Sequence, residues 1–169
     1  MAANEPEDRM ALLAGALGVR MKLDPVRVRI LREAMLMHDV GEIGTIAMVL
    51  RKQGSLSEEE RHQMERHTII GHEIFAGSES EPGRMSATIA LTHHECFDGS
   101  GYPHGLVGEA IPIEGRIAAV ADVFDALISS RSHREPLGVA EAVLVIEEGR
   151  NTRFDPAIVD ALLDYVGMA

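Results

Sequence analysis

An all-α fold, a compact helical bundle with one long Gly/Pro-rich loop, is what this 169-residue chain predicts, on three observations. Apolar residues recur at three- and four-residue spacing in segment after segment, as in helices that bury one stripe. Helix-start signals stand where those stripes begin: Asp24-Pro25, Ser57 with Glu60, and Asp155-Pro156. Aromatic residues are few, with four Phe, two Tyr and no Trp against nine Met, which points to a core of Leu, Ile, Val, Ala and Met packed between helices.

Taken in order, Asp8 to Leu17 carries Met10, Leu12, Leu13, Ala16 and Leu17 at helical spacing and is expected to stop at Gly18, a usual C-terminal cap. Asp24 caps a second helix with Pro25 in its first turn and Val26, Ile30, Leu31, Ala34 and Met35 on one stripe, ending at His38-Asp39. From Gly41 to Gly54 the run Ile46–Leu50 is too short for periodicity to decide, and the segment reads as loop with a turn of helix. A capping box at Ser57/Glu60 starts a long helix to about Phe75, with Met64, His67, Ile70, Gly71 and Ile74 on one face, so that His67 points inward.

Pro82 opens the next helix, whose Met85, Thr88, Ile89 and Thr92 lead into His93-His94-Glu95. Between Cys96 and Ile113, the glycines at 99, 101, 105 and 108 with Pro103 and Pro112 exclude regular structure; a loop this long in a compact domain is usually functional. Glu114 to about Ser130 is the most apolar helix and therefore central, interrupted by Asp122 and Asp125. A buried carboxylate is costly unless paired or metal-bound, which singles out Asp122. Helices over 138–148 and 155–166 complete the chain, which has no repeat, low-complexity run or linker and reads as a single domain over 1–169 with its core at about 12–166.

With 46% hydrophobic residues the chain can bury roughly two-thirds of its unfolded surface. The net charge of -11 argues against a nucleic-acid polymer or a polybasic membrane contact, since phosphate affinity rests on clustered Lys and Arg. Lys22 and Lys52 are the only lysines; the other cations are Arg, whose fork grips phosphate at two points. A single Cys, no apolar stretch near 18 residues and no signal-peptide pattern place the chain in a soluble, reducing compartment, the cytoplasm. Cys96 reads as a passive small side chain beside the candidate ligands.

His38-Asp39, His67, His93-His94 and Asp122 form a dispersed series of six metal-capable side chains, mostly at helix ends. Imidazole nitrogen with carboxylate oxygen suits iron, manganese, zinc, nickel or cobalt better than magnesium or calcium. An adjacent His-Asp pair diverges by about 100° at a helix end, so it reaches two points around a metal pair, with the carboxylate bridging. A lone His is more often a core or surface residue, which is the reading for His62 and His104 as solvated and His72 as packing; His133 lies among arginines without a matching partner.

His38-Asp39-Val40-Gly41, His67 with Gly71, His93-His94-Glu95, the run from Asp98 to Pro103, and Arg116-Ile117 through Ala121-Asp122 and Asp125-Ala126-Leu127 to Arg131 resemble the HD-GYP family of the HD superfamily of metal-dependent phosphohydrolases. The HD doublet alone is a weak signal, whereas the HHE…DGSGYP run is specific. The resemblance implies a bacterial signalling domain acting as a metal-dependent cyclic di-GMP phosphodiesterase. It would use a hydroxide held at a metal pair and give the linear dinucleotide or GMP. It implies that Asp39 bridges the metals, His38 and Asp122 hold one, and His67, His93 and His94 the other. Two divalent ions are expected, iron or manganese first, with zinc, nickel, cobalt and magnesium as alternatives. Arg131 with Arg134 would contact phosphate, while Tyr102 and Gly101 would border the pocket. The partners implied are cyclic di-GMP and a protein, met through the GYP loop or a sensor or receiver domain; neither a nucleic-acid polymer nor a membrane is expected.

Two departures qualify the match. The family pattern HD-x-G-K has Glu42 at its Lys, which puts an anion near the expected substrate. Glu42 either weakens binding or serves as an extra metal ligand, and it stands with Asp39 as a candidate catalytic carboxylate. The family's upstream H-x-x-R-V pattern matches here only at Arg9, with Pro6 in the place of the His. The His38/Asp122 metal is then expected to be the looser one; Glu5, Glu7 and Asp8 are nearby acids, read first as a solvated N-terminus. The alternative function is a catalytically degenerate HD-GYP module that binds a nucleotide or a signalling partner.

Overall fold

Eight α-helices and two short 3-10 turns make up the described part of the computed structural model, which covers residues 6–44, 52, 54–130 and 135–168, with backbone alone for 6–8. The helices are α1 (Pro6–Arg20), α2 (Pro25–Met35), α3 (Glu58–Glu65), α4 (His67–Phe75), α5 (Glu81–Thr92), α6 (Ile113–Ile128), α7 (Val139–Glu148) and α8 (Pro156–Val166). The 3-10 turns are Val40–Gly44 and Gly108–Ala110. Among the described residues there is no strand, only isolated bridges between Asp98 and Val107 and between Arg150 and Phe154. The expected all-α class is therefore observed.

The cap chemistry works as the residue types dictate. Asp24 accepts from the backbone N–H groups of Val26 and Arg27, Ser57 and Glu60 form a reciprocal capping box, and Asp155 accepts from the N–H of Ala157. α6 is the central helix, contacted by α1, α5, α7 and α8. Its Ile117, Val120, Ala121 and Phe124 join Leu13 and Leu17 of α1, Leu31 and Met35 of α2, Ile146 of α7 and Ile158 and Leu162 of α8 in one apolar core.

Three local expectations are corrected. α1 does not stop at Gly18 but runs to Arg20. Gly18 is buried against Leu31, Leu23 and Val28, and the left-handed residue ending the helix is Lys22 (φ 60°), with Leu23 N–H donating back to the Gly18 carbonyl at 3.0 Å. The helix from Ser57 to Phe75 breaks at Arg66 into α3 and α4, and Ile74 faces outward. In α6 the buried carboxylates are Glu114 and Asp125, 6% and 9% exposed, rather than Asp122, which is half-buried. Asp125 is satisfied by Arg9 Nε at 2.7 Å and by the Ser129 hydroxyl at 3.1 Å, and Arg9 also donates to Ser129 Oγ at 2.5 Å. This ties α1 to the end of α6.

Candidate metal centre

The side chains that meet at the site come from the ends of three helices. His38 and Asp39 lie in the turn just after α2, His67 is the first residue of α4, and His93 caps the C-terminus of α5 with His94 next to it. What lets these ends converge is the lack of a side chain at Gly41. A Cβ there would run into the His67 carbonyl oxygen and the Gly71 nitrogen, so only glycine allows the 3-10 turn to lie on the start of α4.

Three of the imidazoles are oriented in the same way. His38 Nδ1 donates to the Met35 carbonyl at 3.0 Å, His67 Nδ1 to that of Met64 at 2.6 Å, and His93 Nδ1 to that of Ile89 at 3.0 Å. A carbonyl only accepts, so in each neutral ring the proton sits on Nδ1 and Nε2 is a free lone pair. All three Nε2 atoms turn to Asp39. His67 and His93 stand 3.5 and 3.3 Å from its Oδ1, and His38 stands 3.1 Å from its Oδ2. Asp39 is thus two-sided. The ligand-capable atoms of Asp39, His67, His93 and His94 all lie within 4.8 Å of one another.

This donor set fits a metal. The Nε2 atoms of His67 and His93 are buried and have no hydrogen-bond partner, a costly state for a polar atom in a packed interior. Each faces a carboxylate oxygen, so acceptor meets acceptor unless a cation lies between them. Two ligand atoms each about 2.1 Å from one ion stand roughly 3.0–3.5 Å apart at angles between square and tetrahedral, which matches the observed separations. The Nδ1-to-carbonyl bonds are the outer contacts that metal-bound histidines ordinarily make.

The electrostatics follow from this crowding. Burial alone would raise the Asp39 carboxyl, but the His38 and His93 imidazoles crowded against it hold it well below the usual carboxylate range. For His38, burial is outweighed by the Asp39 contact and charge and by Asp122, and its pKa is raised. Burial lowers His67, as does the neighbouring His93, and burial with His93 and His67 pushes His94 down to about 2. Asp122 is outside the four-residue group and acts on the His38 side. Glu42 is also outside it, exposed on the 3-10 turn, with its carboxyl raised by partial desolvation on its inner side and by the Asp39 charge.

The glycine loop closes one side of the cluster. The Tyr102 ring lies 4.8 Å from that of His94 at 32°, and Tyr102 N–H donates to the His94 carbonyl at 3.2 Å. Gly101 allows this, since a Cβ would strike Cys96 and His94 backbone atoms. Burial and the Glu65 carboxylate raise the Tyr102 phenol, so it stays protonated. Glu95 has a role that its place in the sequence does not reveal. At 2% exposed, it accepts from the N–H groups of His104 and Leu106 at 2.8 and 2.9 Å and so fastens the loop to the end of α5. A carboxylate beside a histidine doublet and ahead of a glycine loop is the only signal the sequence holds for this.

His62 and His104 are exposed, and His72 Nδ1 meets the Ala87 carbonyl at 3.2 Å, in keeping with a packing role. Arg131, Arg134, His133 and Glu5 fall outside the described residues, as do the side chains of Glu7 and Asp8. Among the described residues, no helix is long and apolar enough to cross a membrane.

Residues 2–158 match the model of the HD domain family. The chain is 47% identical, over 92% of its length and 41% of the relative's, to a cyclic di-GMP phosphodiesterase response regulator of Xanthomonas campestris pv. campestris. It is 40% identical to a cyclic di-GMP phosphodiesterase of Thermotoga maritima, covering 96% of this chain and 44% of that one. The chain thus spans less than half the length of these two relatives. In fold it is similar to a solved HD-GYP-type protein of Bdellovibrio bacteriovorus, with a TM-score of 0.74 at 21% identity over 96% of this chain and 51% of that chain. With the family match covering almost all of the chain and the HHE…DGSGYP run folded around the histidine cluster, this protein belongs to the HD domain family and is of the HD-GYP type.

Proposed function

We propose that this chain is a metal-dependent phosphodiesterase that hydrolyses cyclic di-GMP to the linear dinucleotide or GMP in the cytoplasm. The observation that carries this reading is the pair of buried, unpartnered Nε2 atoms of His67 and His93 turned onto one oxygen of Asp39, whose other oxygen faces His38. Asp39, His67, His93 and His94 would hold one divalent ion, and His38 and Asp122, sharing Asp39, a second. Bound there, divalent ions, iron or manganese first, would acidify water and neutralise charge growing on the phosphoryl oxygens.

The chain's own residues supply the rest. The carbonyls of Met35, Met64 and Ile89 hold three rings in the ligating tautomer, so no reorganisation is needed at the moment of reaction. Tyr102 and Gly101 border the substrate, and the protonated Tyr102 hydroxyl is a donor for a phosphate or ribose oxygen. Arg131 and Arg134 are assigned to the phosphates from their place in the sequence. Glu42, an anion on the rim, lowers affinity for a dianionic substrate without entering the metal cluster. Incubation of the manganese- or iron-loaded protein with cyclic di-GMP, with products separated by chromatography, tests the proposal. Metal-dependent product that disappears in Asp39→Asn supports it; intact substrate over fully loaded wild type overturns it.

A further inference from the structure

A second concavity lies beside the metal cluster on the far side of Tyr102. This cavity of about 340 Å³ is lined by Ser55, Leu56, Arg61, Met64, Glu65 and Tyr102. It is joined to the centre by shared residues: the Tyr102 ring that forms one wall rests on His94, and the Met64 that forms another holds His67 through its carbonyl.

Arg61 and Glu65 stand four residues apart on one helical segment, where a salt bridge between them would be ordinary. Yet among the described residues neither side chain has an ion-pair or hydrogen-bond partner. The metal cluster makes no use of either. Two charges of opposite sign, unpaired among the described residues, thus share a pocket with two apolar side chains and an aromatic ring, next to the reacting centre.

We infer that this cavity is a subsite for a guanine base of the substrate, read by Glu65 and Arg61; the inference rests on the cyclic dinucleotide reading above. Guanine carries two adjacent N–H donors, at N1 and N2, that a carboxylate accepts with its two oxygens, and two acceptors, O6 and N7, that an Arg fork donates to. Leu56 and Met64 offer apolar surface to the flat faces of the base. Adenine would set its N1 lone pair against Glu65, leaving the carboxylate unpaired, which makes Glu65 a specificity-determining residue as well as a binding one.

The test is the ratio of kcat/KM for cyclic di-GMP to that for cyclic di-AMP, in metal-loaded wild type and Glu65→Gln. The ratio should fall at least about tenfold in the variant, chiefly through a higher KM for cyclic di-GMP. A ratio that stays constant, whether both rates drop or neither does, overturns the subsite. If circular dichroism shows Glu65→Gln misfolded, Arg61→Met is read for the same ratio with the same two outcomes. If wild type turns over neither nucleotide, the phosphodiesterase reading fails on its own account. The subsite is then judged by calorimetric Kd values for the two dinucleotides: tighter guanine binding that Glu65→Gln removes supports it, and equal affinity overturns it.

Discussion

His93 Nε2 stands 3.3 Å from Asp39 Oδ1 while the opposite nitrogen of the same ring donates to the Ile89 carbonyl at 3.0 Å. Fixing the proton on one side of the imidazole leaves a lone pair on the other, aimed at an oxygen that also only accepts. His67 repeats the arrangement from a different helix. Two such contacts converging on one carboxylate make a candidate cation-binding centre out of atoms that repel one another without a cation.

Replacing the shared carboxylate should therefore cost more than replacing any one ring. Asp39→Asn keeps the shape but puts an amide where both halves of the cluster meet. Hydrolysis should drop by about a thousandfold, and bound metal, counted by elemental analysis, should fall below the wild-type stoichiometry. Wild-type metal content in the variant would contradict the two-sided role of Asp39.

The histidine shifts set a pH dependence for the metal-stripped protein. His67 and His94 are lowered on folding, so below about pH 6.5 the unfolded chain takes up protons that the folded one refuses, and stability falls with acidification. The slope should approach about 1.4 kcal/mol per pH unit for His94, with His67 adding in the same direction. His38 is raised; its contribution is present below about pH 6.5 and is lost as pH rises through its folded value. Stability should peak near neutrality, on the acid side. Urea midpoints from pH 4.5 to 7.5 check this, and His94→Gln should remove the larger part of the acid limb; a flat profile would refute the assignment.

Gly41→Ala forces a methyl group into the backbone of α4 at His67 and Gly71. Overpacking against backbone should cost at least about 2 kcal/mol, about 5 °C in Tm for a chain of this size. Because the displaced residue is His67, metal affinity should fall as well, measured by titration with manganese. Unchanged melting would mean that the turn and α4 are not in contact.

Glu95→Gln removes one of the two acceptors that hold the glycine loop and turns an amide against an N–H. The loss of charge-assisted bonds, about 1.5–3 kcal/mol, should appear as exchange about 10- to 100-fold faster at the amides of His104 and Leu106, read by hydrogen exchange with NMR. Equal protection in both proteins would show that the loop is held elsewhere.

Much of this architecture could be read from residues alone. Cap chemistry is local, which is why Asp24, Ser57/Glu60 and Asp155 mark their helices correctly, and the apolar density of 114–130 identifies the central helix. Tertiary contacts were not readable. Gly18 looks like a stop signal but is a packing position under Leu31, and the break at Arg66 leaves no trace in the apolar spacing. The same limit applies at the site. The sequence shows the donors but not that Asp39 has His67 and His93 on one oxygen and His38 on the other, nor that Asp125, rather than Asp122, is buried, paired with Arg9 from 116 residues away.

Anomalous diffraction at the manganese edge, from crystals of manganese-loaded protein, examines the cation-binding centre itself. A peak about 2.0–2.3 Å from Asp39 Oδ1 and from the Nε2 atoms of His67 and His93 is the expected result. A map with no peak among these atoms, or with the metal bound elsewhere while both rings keep their Nε2 atoms on Asp39, would contradict it.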